Sequence, residues 1–430
     1  MATFADLGVR SRTADALSRG AINEPLPVQR DAIPPLLARR DVVVEAPTGS
    51  GKTLAFLVPM VERLSGHRSG GARALVVVPT RELASQVASV LRTVDPALRV
   101  ALVVGGVGYG GQLSLLRNSP DVIVGCPGRL LDLAARGAAR LDRIEYLVLD
   151  EADEMLDQGF APDVERIMAM TPQNQPGRIL RQTVLASATM PAWVRTMIDR
   201  HLVDPVRLAV STEQVPLLEQ GLLRVRRDQR VATLSALLRQ FDGSALVFHR
   251  TKHGAKRLAS DLHRLGHRAD ELQGNLSQNA RDRAIAGFRA RSTDVLVATN
   301  VAARGLDIDH VSLVVNYELP DSPQWLTHRA GRTARNGAEG TAVTFLSDDD
   351  MEQWSKLRRL GGPALRWADG DALLGEGELR LLETPPPGEP NGRPAPRRPV
   401  PLRGYGRGRG AGNGAGRPRA AEGRRAPRPR

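Results

Sequence analysis

The chain has 430 residues, which is long enough for roughly two to three domains that each bury a core. Its formal net charge is +13, and so basic a chain favours a polyanionic partner, either nucleic acid or an anionic membrane surface. The single cysteine, Cys126, excludes an internal disulfide and a cysteine-rich metal site. The sequence has neither an apolar run of membrane-helix length nor a signal-peptide core, so we expect a cytoplasmic protein.

The first half of the chain alternates short β-branched runs with segments of helix length. The runs are DVVVEAP, ALVVVPT, VALVVGG, DVIVGCP, YLVLDEAD and TVLASAT. Such alternation is typical of a parallel sheet that helices cover on both faces. We therefore predict a first α/β domain over residues 1–210.

A glycine-rich segment, APTGSGKT at residues 46–53, follows the first run and precedes a helical pattern. In this context backbone N–H groups at a helix N-terminus hold phosphate oxygens, Lys52 reaches the terminal phosphates and the Thr53 hydroxyl ligates Mg²⁺. The other predicted nucleotide-binding residues of the segment are Thr48, Gly49, Ser50 and Gly51. The alternative interpretation is an ordinary glycine-rich turn.

The run YLVLDEAD ends in carboxylates, as expected for the second half of a nucleotide-hydrolysing site. We expect Asp150 to hold Mg²⁺ through water, and Glu151 to orient and deprotonate the attacking water. The alternative is a solvated acidic end of a strand. The apolar residues before the acids and the phosphate-binding segment favour the catalytic interpretation.

The strand and helix pattern restarts after a junction near residues 208–220. The new runs are SALVFHR, DVLVATN, VSLVVNYELP and GTAVTFLS. They predict a second α/β domain over residues 218–365, so the fold class is two tandem parallel sheets flanked by helices.

The segment 385–430 consists mainly of Pro, Gly, Ala and Arg. Its twelve arginines against two glutamates give a charge of 12 − 2 = +10. So little apolar bulk cannot offset the entropy of ordering, and we predict a disordered basic tail. RGYGRGRG at 403–410 resembles arginine-glycine segments that bind RNA, and the alternative is a spacer that contacts nothing.

The motifs together resemble a DEAD-box ATP-dependent RNA helicase of the bacterial type. The resemblance rests on APTGSGKT, DEAD at 150–153 and SAT at 187–189, and on further motifs that agree with the family in order and spacing. These are PTRELA at 79–84, the double glycine at 105–106, PGR at 127–129, ARGLD at 303–307 and HRAGRTAR at 328–335. The resemblance covers about residues 4 to 347. It implies two RecA-like domains, ATP and Mg²⁺ as cofactors, and RNA as the partner.

The resemblance also implies roles for single residues. Phe4 would stack on adenine and Gln29 would bond its edge, whereas without the family they would be a core anchor and a surface residue. Arg332 and Arg335 would reach the γ-phosphate from the second domain, and Asp307 would meet the ribose. The residues implied to couple ATP to domain closure are Asp153, Ser187, Thr189, His328 and Arg329.

The implied RNA contacts would grip phosphates and sugars without reading bases. They are Thr80, Arg81, Gly106, Gly128, Arg129, Arg250, Gly274 and Thr299. Each glycine could instead be a turn, and each arginine a solvated side chain. The sequence departs from the family pattern at seven positions. They are Ala21 for a glycine, Ile22 for an aromatic residue, Leu26 for a hydroxyl residue, Cys126 for a threonine, Gln273 for a histidine, Asn300 for an aspartate and Leu326 for a tyrosine.

The function that follows is an ATP-gated clamp that opens short RNA duplexes or removes proteins from RNA, acting as a monomer. Two alternatives stay open. One is a DNA helicase of the same superfamily, which the DEAD sequence and the adenine-reading segment disfavour. The other is a non-enzymatic RNA clamp or scaffold, which would not need Glu151, Arg332 or Arg335.

Overall fold

The structure, a computed structural model, describes residues 2–47, 49–66, 70–174, 180–209, 218–241, 243–303, 308, 310–334, 339–363 and 365–368. The described residues lie in one compact unit that spans Met1–Pro385. The basic tail at 385–430 falls outside the described residues, so its disorder stays a prediction. None of the described helices is long and apolar enough to cross a membrane.

The first half of the described chain forms a sheet of seven parallel strands. Its strands are β1 (Val42–Glu45), β2 (Ala74–Val77), β3 (Val100–Val103), β4 (Val122–Gly125), β5 (Tyr146–Asp150), β6 (Gln182–Ser187) and β7 (Val206–Ala209). They are ordered β3-β4-β2-β5-β6-β1-β7. Central strands of this sheet are buried along their whole length, as expected for a sheet covered on both faces.

Helices connect these strands and cover the sheet. They are α1 (Ser11–Arg19), α2 (Pro27–Leu37), α3 (Lys52–Leu64), α4 (Arg81–Val94), α5 (Tyr109–Arg117), α6 (Pro127–Ala135), α7 (Ala152–Asp157), α8 (Ala161–Ala169) and α9 (Ala192–His201). Two apolar clusters, one on each face of the sheet, draw their residues from the range 4–208.

The second half repeats this architecture with a second parallel sheet, ordered β10-β11-β9-β12-β13-β8-β14. Its strands are β8 (Leu218–Arg224), β9 (Ser244–Phe248), β10 (Ala269–Leu272), β11 (Val295–Ala298), β12 (Val311–Asn316), β13 (Gly340–Leu346) and β14 (Arg366–Trp367). Its helices are α10 (Arg230–Gln240), α11 (Lys252–Arg264), α12 (Gln278–Arg289), α13 (Asn300–Ala303), α14 (Pro323–Ala330) and α15 (Met351–Arg359). Three apolar clusters fill this half, all within residues 218–368.

The prediction of two parallel sheets flanked by helices is confirmed. The apolar runs of the sequence do not predict four strands, β7, β8, β10 and β14. Of these, β7, β10 and β14 are edge strands, and β8 lies next to the edge strand β14. The predicted junction at 208–220 overlaps the end of β7 and the start of β8, because both strands are half-exposed and carry charged residues. The domain limits 1–210 and 218–365 stay predictions.

The strand order decides which loops meet. Carboxyl ends of parallel strands lie along one edge of a sheet, and ligands of such folds bind there. In the first sheet β1, β6 and β5 are neighbours, so the phosphate segment, Ser187 and Asp150 come together. On the other side β2, β4 and β3 bring Thr80, Arg129 and Gly106 to the same edge.

Candidate active site

The phosphate segment forms a tight turn that enters α3 directly. Gly51 caps the helix with a φ of 91°, a left-handed conformation that favours glycine, and Gly49 has a φ of 84°. Lys52 is buried, and its Nζ donates to the carbonyls of Ala46 at 2.6 Å and Pro47 at 3.1 Å. The lysine is therefore held inside the turn by the carbonyls of the turn itself.

Two carboxylates face this lysine from the end of β5. Asp150 is buried and accepts a bond from the Glu151 N–H at 3.0 Å, while Glu151 Oε1 lies 3.5 Å from Lys52 Nζ. Desolvation, with Glu151 as the next cause, raises the pKa of Asp150 to about 7, although Lys52 opposes the rise. Glu151 itself has a φ of 52°, an uncommon value for a residue with a side chain, and such strain clusters at functional sites.

Gln29 connects the segment before α2 to the phosphate turn. Its Oε1 accepts from the Leu26 N–H at 2.9 Å and its Nε2 donates to the Gly51 carbonyl at 3.1 Å. A Cβ at Gly51 would lie 2.6 Å from that Nε2, so the close approach requires glycine. Phe4 is only 3% exposed and packs in the first apolar cluster, so its stacking on adenine stays a prediction.

Asp153, Ser187 and Thr189 form one hydrogen-bonded unit. The Asp153 N–H donates to Ser187 Oγ at 3.2 Å, and Ser187 Oγ donates to the Thr189 carbonyl at 2.7 Å. Asp153 Oδ2 accepts from the Thr189 N–H at 2.9 Å and from its hydroxyl at 2.7 Å. The end of β6 is thus tied to the start of α7.

The second sheet brings two side chains from the end of α14 onto this unit. His328 Nε2 lies 3.8 Å from Asp153 Oδ2, and Arg332 lies 3.7 Å from Glu154 Oε1. Desolvation lowers the pKa of His328, with Asp153 and Glu151 opposing the shift. Of the residues that the resemblance assigns to coupling, His328 and Asp153 therefore meet across the two halves of the chain.

Arg329 points away from this contact, into the second half. It is buried, and its guanidinium donates to Asn300 Oδ1 and Asn316 Oδ1, both at 2.8 Å, and to the Glu318 carbonyl at 3.1 Å. All three acceptors are neutral groups. Burial lowers the pKa of Arg329 to about 9.

The predicted RNA contacts of the first half gather around Arg81. Its guanidinium lies over the double glycine, and a Cβ at Gly106, where φ is 73°, would collide with it. Thr80 caps α4 by accepting from the Leu83 N–H, and Arg129 donates to the Val107 carbonyl at 3.1 Å. A Cβ at Gly128 would meet nothing within 4 Å, so the protein's own packing does not require that glycine.

The predicted contacts of the second half follow three neighbouring strands, β10, β11 and β9. Gly274 follows β10, and a Cβ there would lie 3.2 Å from Lys252 Cε. Thr299 follows β11 and Arg250 follows β9, where its N–H donates to Glu318 Oε2 at 2.8 Å. Strand order alone therefore brings these three positions to one edge.

Sequence reasoning missed a second contact between the halves. Arg281 of α12 pairs with Glu82 of α4 at 2.6 Å, and the side chains are only 9% and 8% exposed. Arg81 donates to Gln278 Oε1 at 3.2 Å beside this pair. The Arg281–Glu82 contact is an ion pair without hydrogen-bond geometry. Nothing in the local sequence marks Gln278 and Arg281, because their partners are almost 200 residues away.

The comparisons with known proteins identify the family of the chain. A family model described as DEAD/DEAH box helicase matches residues 26–197, and one described as helicase conserved C-terminal domain matches residues 229–337. The chain belongs to the DEAD-box helicase family. The predicted family is thus confirmed, and with it an ATP-dependent RNA helicase, a hydrolase.

Relatives match over most of the chain. DEAD-box ATP-dependent RNA helicase CshA of Geobacillus kaustophilus is 39% identical over 364 residues, which are 84% of this chain and 76% of that protein. CshA of Bacillus subtilis is 39% identical over 392 residues, or 88% and 77%. Among solved structures, S. cerevisiae Dbp5 bound to RNA and ADP BeF3 is 31% identical, with a TM-score of 0.77, over 86% of this chain and 96% of that chain.

This DEAD-box helicase accommodates its departures from the family pattern in different ways. Ala21 has a φ of 59°, so it stands where the usual glycine would be unstrained. Cys126 is the N-cap residue before α6 and makes no side-chain cap bond, and burial raises the pKa of its thiol to about 12. Leu26 is exposed, Leu326 is buried in an apolar cluster, and Gln273 Oε1 accepts from the Asn275 N–H at 2.6 Å.

Three predicted site residues, Thr48, Asp307 and Arg335, lie outside the described residues, so their roles stay predictions. Ser50 donates to the Pro47 carbonyl at 2.7 Å and helps to close the phosphate turn. Thr53 occupies the first turn of α3.

Proposed function

We propose that the chain is an ATP-gated clamp on RNA that opens short duplexes or displaces bound proteins and resets by hydrolysing ATP. The observation that carries the proposal is the approach of Arg332 and His328 to Glu154 and Asp153. It ties the second half of the chain to the carboxylate segment that would hydrolyse ATP. RNA bound by both halves and ATP bound at the first would therefore favour the same closed arrangement.

The residues divide the chemistry between them. The phosphate turn, from Gly49 to Thr53, would bind the phosphates through backbone N–H groups and Lys52. Glu151 would orient a water and take its proton. Arg332 and Arg335 would neutralise charge that develops on the γ-phosphate, and such a group is worth about 10³ to 10⁵ in rate. Because the arginines come from the second half, hydrolysis would require closure.

Mg²⁺ fits the donors present. The Thr53 hydroxyl and the Asp150 carboxylate are hard oxygen groups, and Mg²⁺ typically takes one or two such groups with nucleotide phosphates and waters. Among the described residues, no cluster of three His, Cys, Asp or Glu is arranged to hold a metal alone. Bound with ATP, the ion would offset phosphate charge, and its own charge would favour the ionised form of Asp150.

RNA is the proposed partner, and its recognition would be independent of sequence. Arg81, Arg129 and Arg250 offer donors suited to phosphates, and Gly128 leaves space for a backbone to approach. We further propose that the chain is a monomer and that it acts in the cytoplasm. A single cysteine is consistent with a reducing compartment, because it cannot form an internal disulfide. Light scattering and cell fractionation test these two points.

The test compares ATP hydrolysis by the full chain alone, with single-stranded RNA and with single-stranded DNA of the same sequence. We expect stimulation by RNA and little by DNA, together with ATP-dependent opening of an RNA duplex of about ten base pairs. Stronger stimulation by DNA would establish the DNA helicase alternative. RNA binding that tightens with ATP but without turnover would establish the non-enzymatic clamp.

A further inference from the structure

A cluster of one aromatic ring and two arginines lies beside the double glycine, and two of its members, Tyr109 and Arg136, have no role in the site described above. Tyr109 begins α5, and the guanidinium carbons of Arg129 and Arg136 lie 4.3 and 4.5 Å from its ring centroid. Arg136 follows the last residue of α6, almost two turns beyond Arg129. The ring therefore brings together two cations that the helix alone would separate.

Asp132 holds this cluster in place. Its carboxylate accepts from Arg136 Nε at 2.9 Å, and hydrogen bonds from Tyr109 and Arg136 lower the pKa of Asp132. Arg129 is mostly buried, and it donates to the Val107 carbonyl, whereas the side chain of Arg136 is 56% exposed. One of the two guanidiniums is thus fixed within the protein, and the other faces solvent.

The surface around the ring is unusually open. Residues 105–111 contain five glycines, and a Cβ at Gly108, Gly110 or Gly111 would meet nothing within 4 Å. Gly110 and Gly111 lie inside α5, where glycine costs about 0.5–1 kcal/mol relative to alanine. The protein's own packing does not require these glycines, whereas the close approach of a ligand backbone to this surface would require them.

We propose that Tyr109 and Arg136 extend the RNA path of the first half beyond Gly106 and Arg129, with Arg136 contacting an RNA phosphate and Tyr109 positioning it. Stacking on a ring uses the face of a guanidinium and leaves in-plane N–H groups for phosphate oxygens. Val107 and Gly108 continue the backbone from Gly106, so the added contact adjoins the predicted one. This inference rests on the proposed RNA clamp.

The experiment measures binding of the full chain to a labelled single-stranded RNA across a salt series, with a non-hydrolysable ATP analogue. Arg136→Ala should raise the RNA Kd about five- to tenfold at low salt, as expected for loss of one charge-assisted bond. The slope of log K against log salt should become less steep by about 0.7, the value expected for one neutralised phosphate on a single strand. The matched control is Arg140→Ala, because Arg140 is 68% exposed and pairs with Asp142 but has no ring contact among the described residues.

Two variants of Tyr109 separate positioning from mere packing. Tyr109→Phe keeps the ring and should stay within about twofold of wild type, whereas Tyr109→Leu should raise the Kd nearly as much as Arg136→Ala. In both damaging variants the KM for RNA should rise while kcat at saturating RNA is kept. Combining Tyr109→Leu with Arg136→Ala should add little to either single change.

The outcomes distinguish the inference from the proposed function. If wild-type protein does not bind RNA, the clamp and this extension both fall. If wild-type protein binds RNA but Arg136→Ala matches Arg140→Ala in Kd and slope, only the extension is wrong. Equal damage by Tyr109→Phe and Tyr109→Leu would overturn the role of the ring.

Discussion

Glu151 combines a strained backbone with a side chain 3.5 Å from the phosphate lysine, which makes it the residue to test first. Glu151→Gln keeps the size of the side chain and removes its ability to take a proton. We expect ATP and RNA binding to persist while hydrolysis falls about 10²- to 10⁴-fold, the usual contribution of a general base. RNA release should slow in parallel, because in the proposed cycle the closed complex opens after hydrolysis.

Single-turnover hydrolysis and RNA dissociation, measured on the same preparation, check this expectation. Glu165→Gln on α8 is the control, since Glu165 pairs only loosely with Arg200 at 3.7 Å. Hydrolysis at the wild-type rate in Glu151→Gln would remove Glu151 from the mechanism.

Asp150 predicts a dependence of stability on pH. Its pKa is raised to about 7 from the usual 3.8, so the folded state holds the proton more tightly than the unfolded state. Wild-type protein without Mg²⁺ and nucleotide should therefore lose stability as pH rises from about 4 to 7. Asp150→Asn carries no such charge, so its melting temperature should exceed that of wild type at pH 8 by a few degrees, and less at pH 5.

Thermal unfolding at both pH values measures the difference. Asp142→Asn is the control, because the Arg140 hydrogen bond holds the pKa of Asp142 below its usual range. That control should gain nothing at pH 8. A gain for Asp150→Asn that is the same at pH 5 and pH 8 would mean that packing, not charge, explains it.

Among the described residues, the guanidinium of Arg329 donates to no carboxylate, and Asn300 occupies the place where the resemblance implies an aspartate. Asn300→Asp should turn the 2.8 Å bond into an ion pair and raise the pKa of Arg329. We expect a gain in unfolding free energy of about 1–2 kcal/mol, because hydrogen bonds to charged groups contribute more than neutral ones. Asn300→Ala should shift stability in the opposite direction.

Denaturant unfolding of the three proteins decides the point. Unchanged stability in Asn300→Asp would show that the desolvation cost of the new carboxylate cancels its attraction to Arg329.

At the scale of elements, α4 and α12 are joined by the pair of Glu82 and Arg281 across the two sheets. Reversing one charge leaves two like charges almost buried, so Arg281→Glu should lower RNA-stimulated ATP hydrolysis at least tenfold. The double variant Glu82→Arg with Arg281→Glu restores opposite charges and should recover much of the activity. ATP binding to the first half should not change in either protein.

Steady-state ATPase titrated with RNA measures both effects. If the loss of ATP hydrolysis in the double variant equals the combined losses of the two single variants, the two side chains do not act as a pair in the closed arrangement.

The elements themselves show what the sequence could predict. Strands such as β2 and β5 are continuous apolar runs because both faces are covered, and each of these runs was recognised. β7 alternates half-buried and exposed residues at a sheet edge, and β14 has only two residues, so neither resembles a buried run. The resemblance to the family indicates the motif residues, whereas nothing in the sequence indicates Glu82, Gln278 and Arg281 as partners, since only the folded chain brings α12 against α4.

At the scale of the whole molecule, a truncation tests the proposal that closure of the two halves gates hydrolysis. Among the described residues, the two apolar clusters of the first half draw on residues 4–208, so a chain ending near 210 should retain its own core. We expect it to bind ATP but to hydrolyse it far more slowly than the whole chain, because Arg332 and Arg335 are absent. Arg335→Ala in the whole chain should approach the same low rate.

Nucleotide binding and turnover, measured side by side, check this prediction. If the half-chain hydrolyses ATP as fast as the whole protein with RNA, closure is not the gate. Arg332→Lys offers a milder comparison, since lysine keeps the charge but loses the planar fork.

The buried ammonium of Lys52 donates hydrogen bonds to the carbonyls of Ala46 and Pro47. A nucleotide phosphate that binds Lys52 would therefore compete with these two carbonyls for the hydrogen bonds of the ammonium. The carbonyls can accept these hydrogen bonds again when the phosphate dissociates, so the phosphate turn itself competes with the phosphate for Lys52. We expect this competition to cancel part of the binding energy that Lys52 contributes and thereby to favour product release.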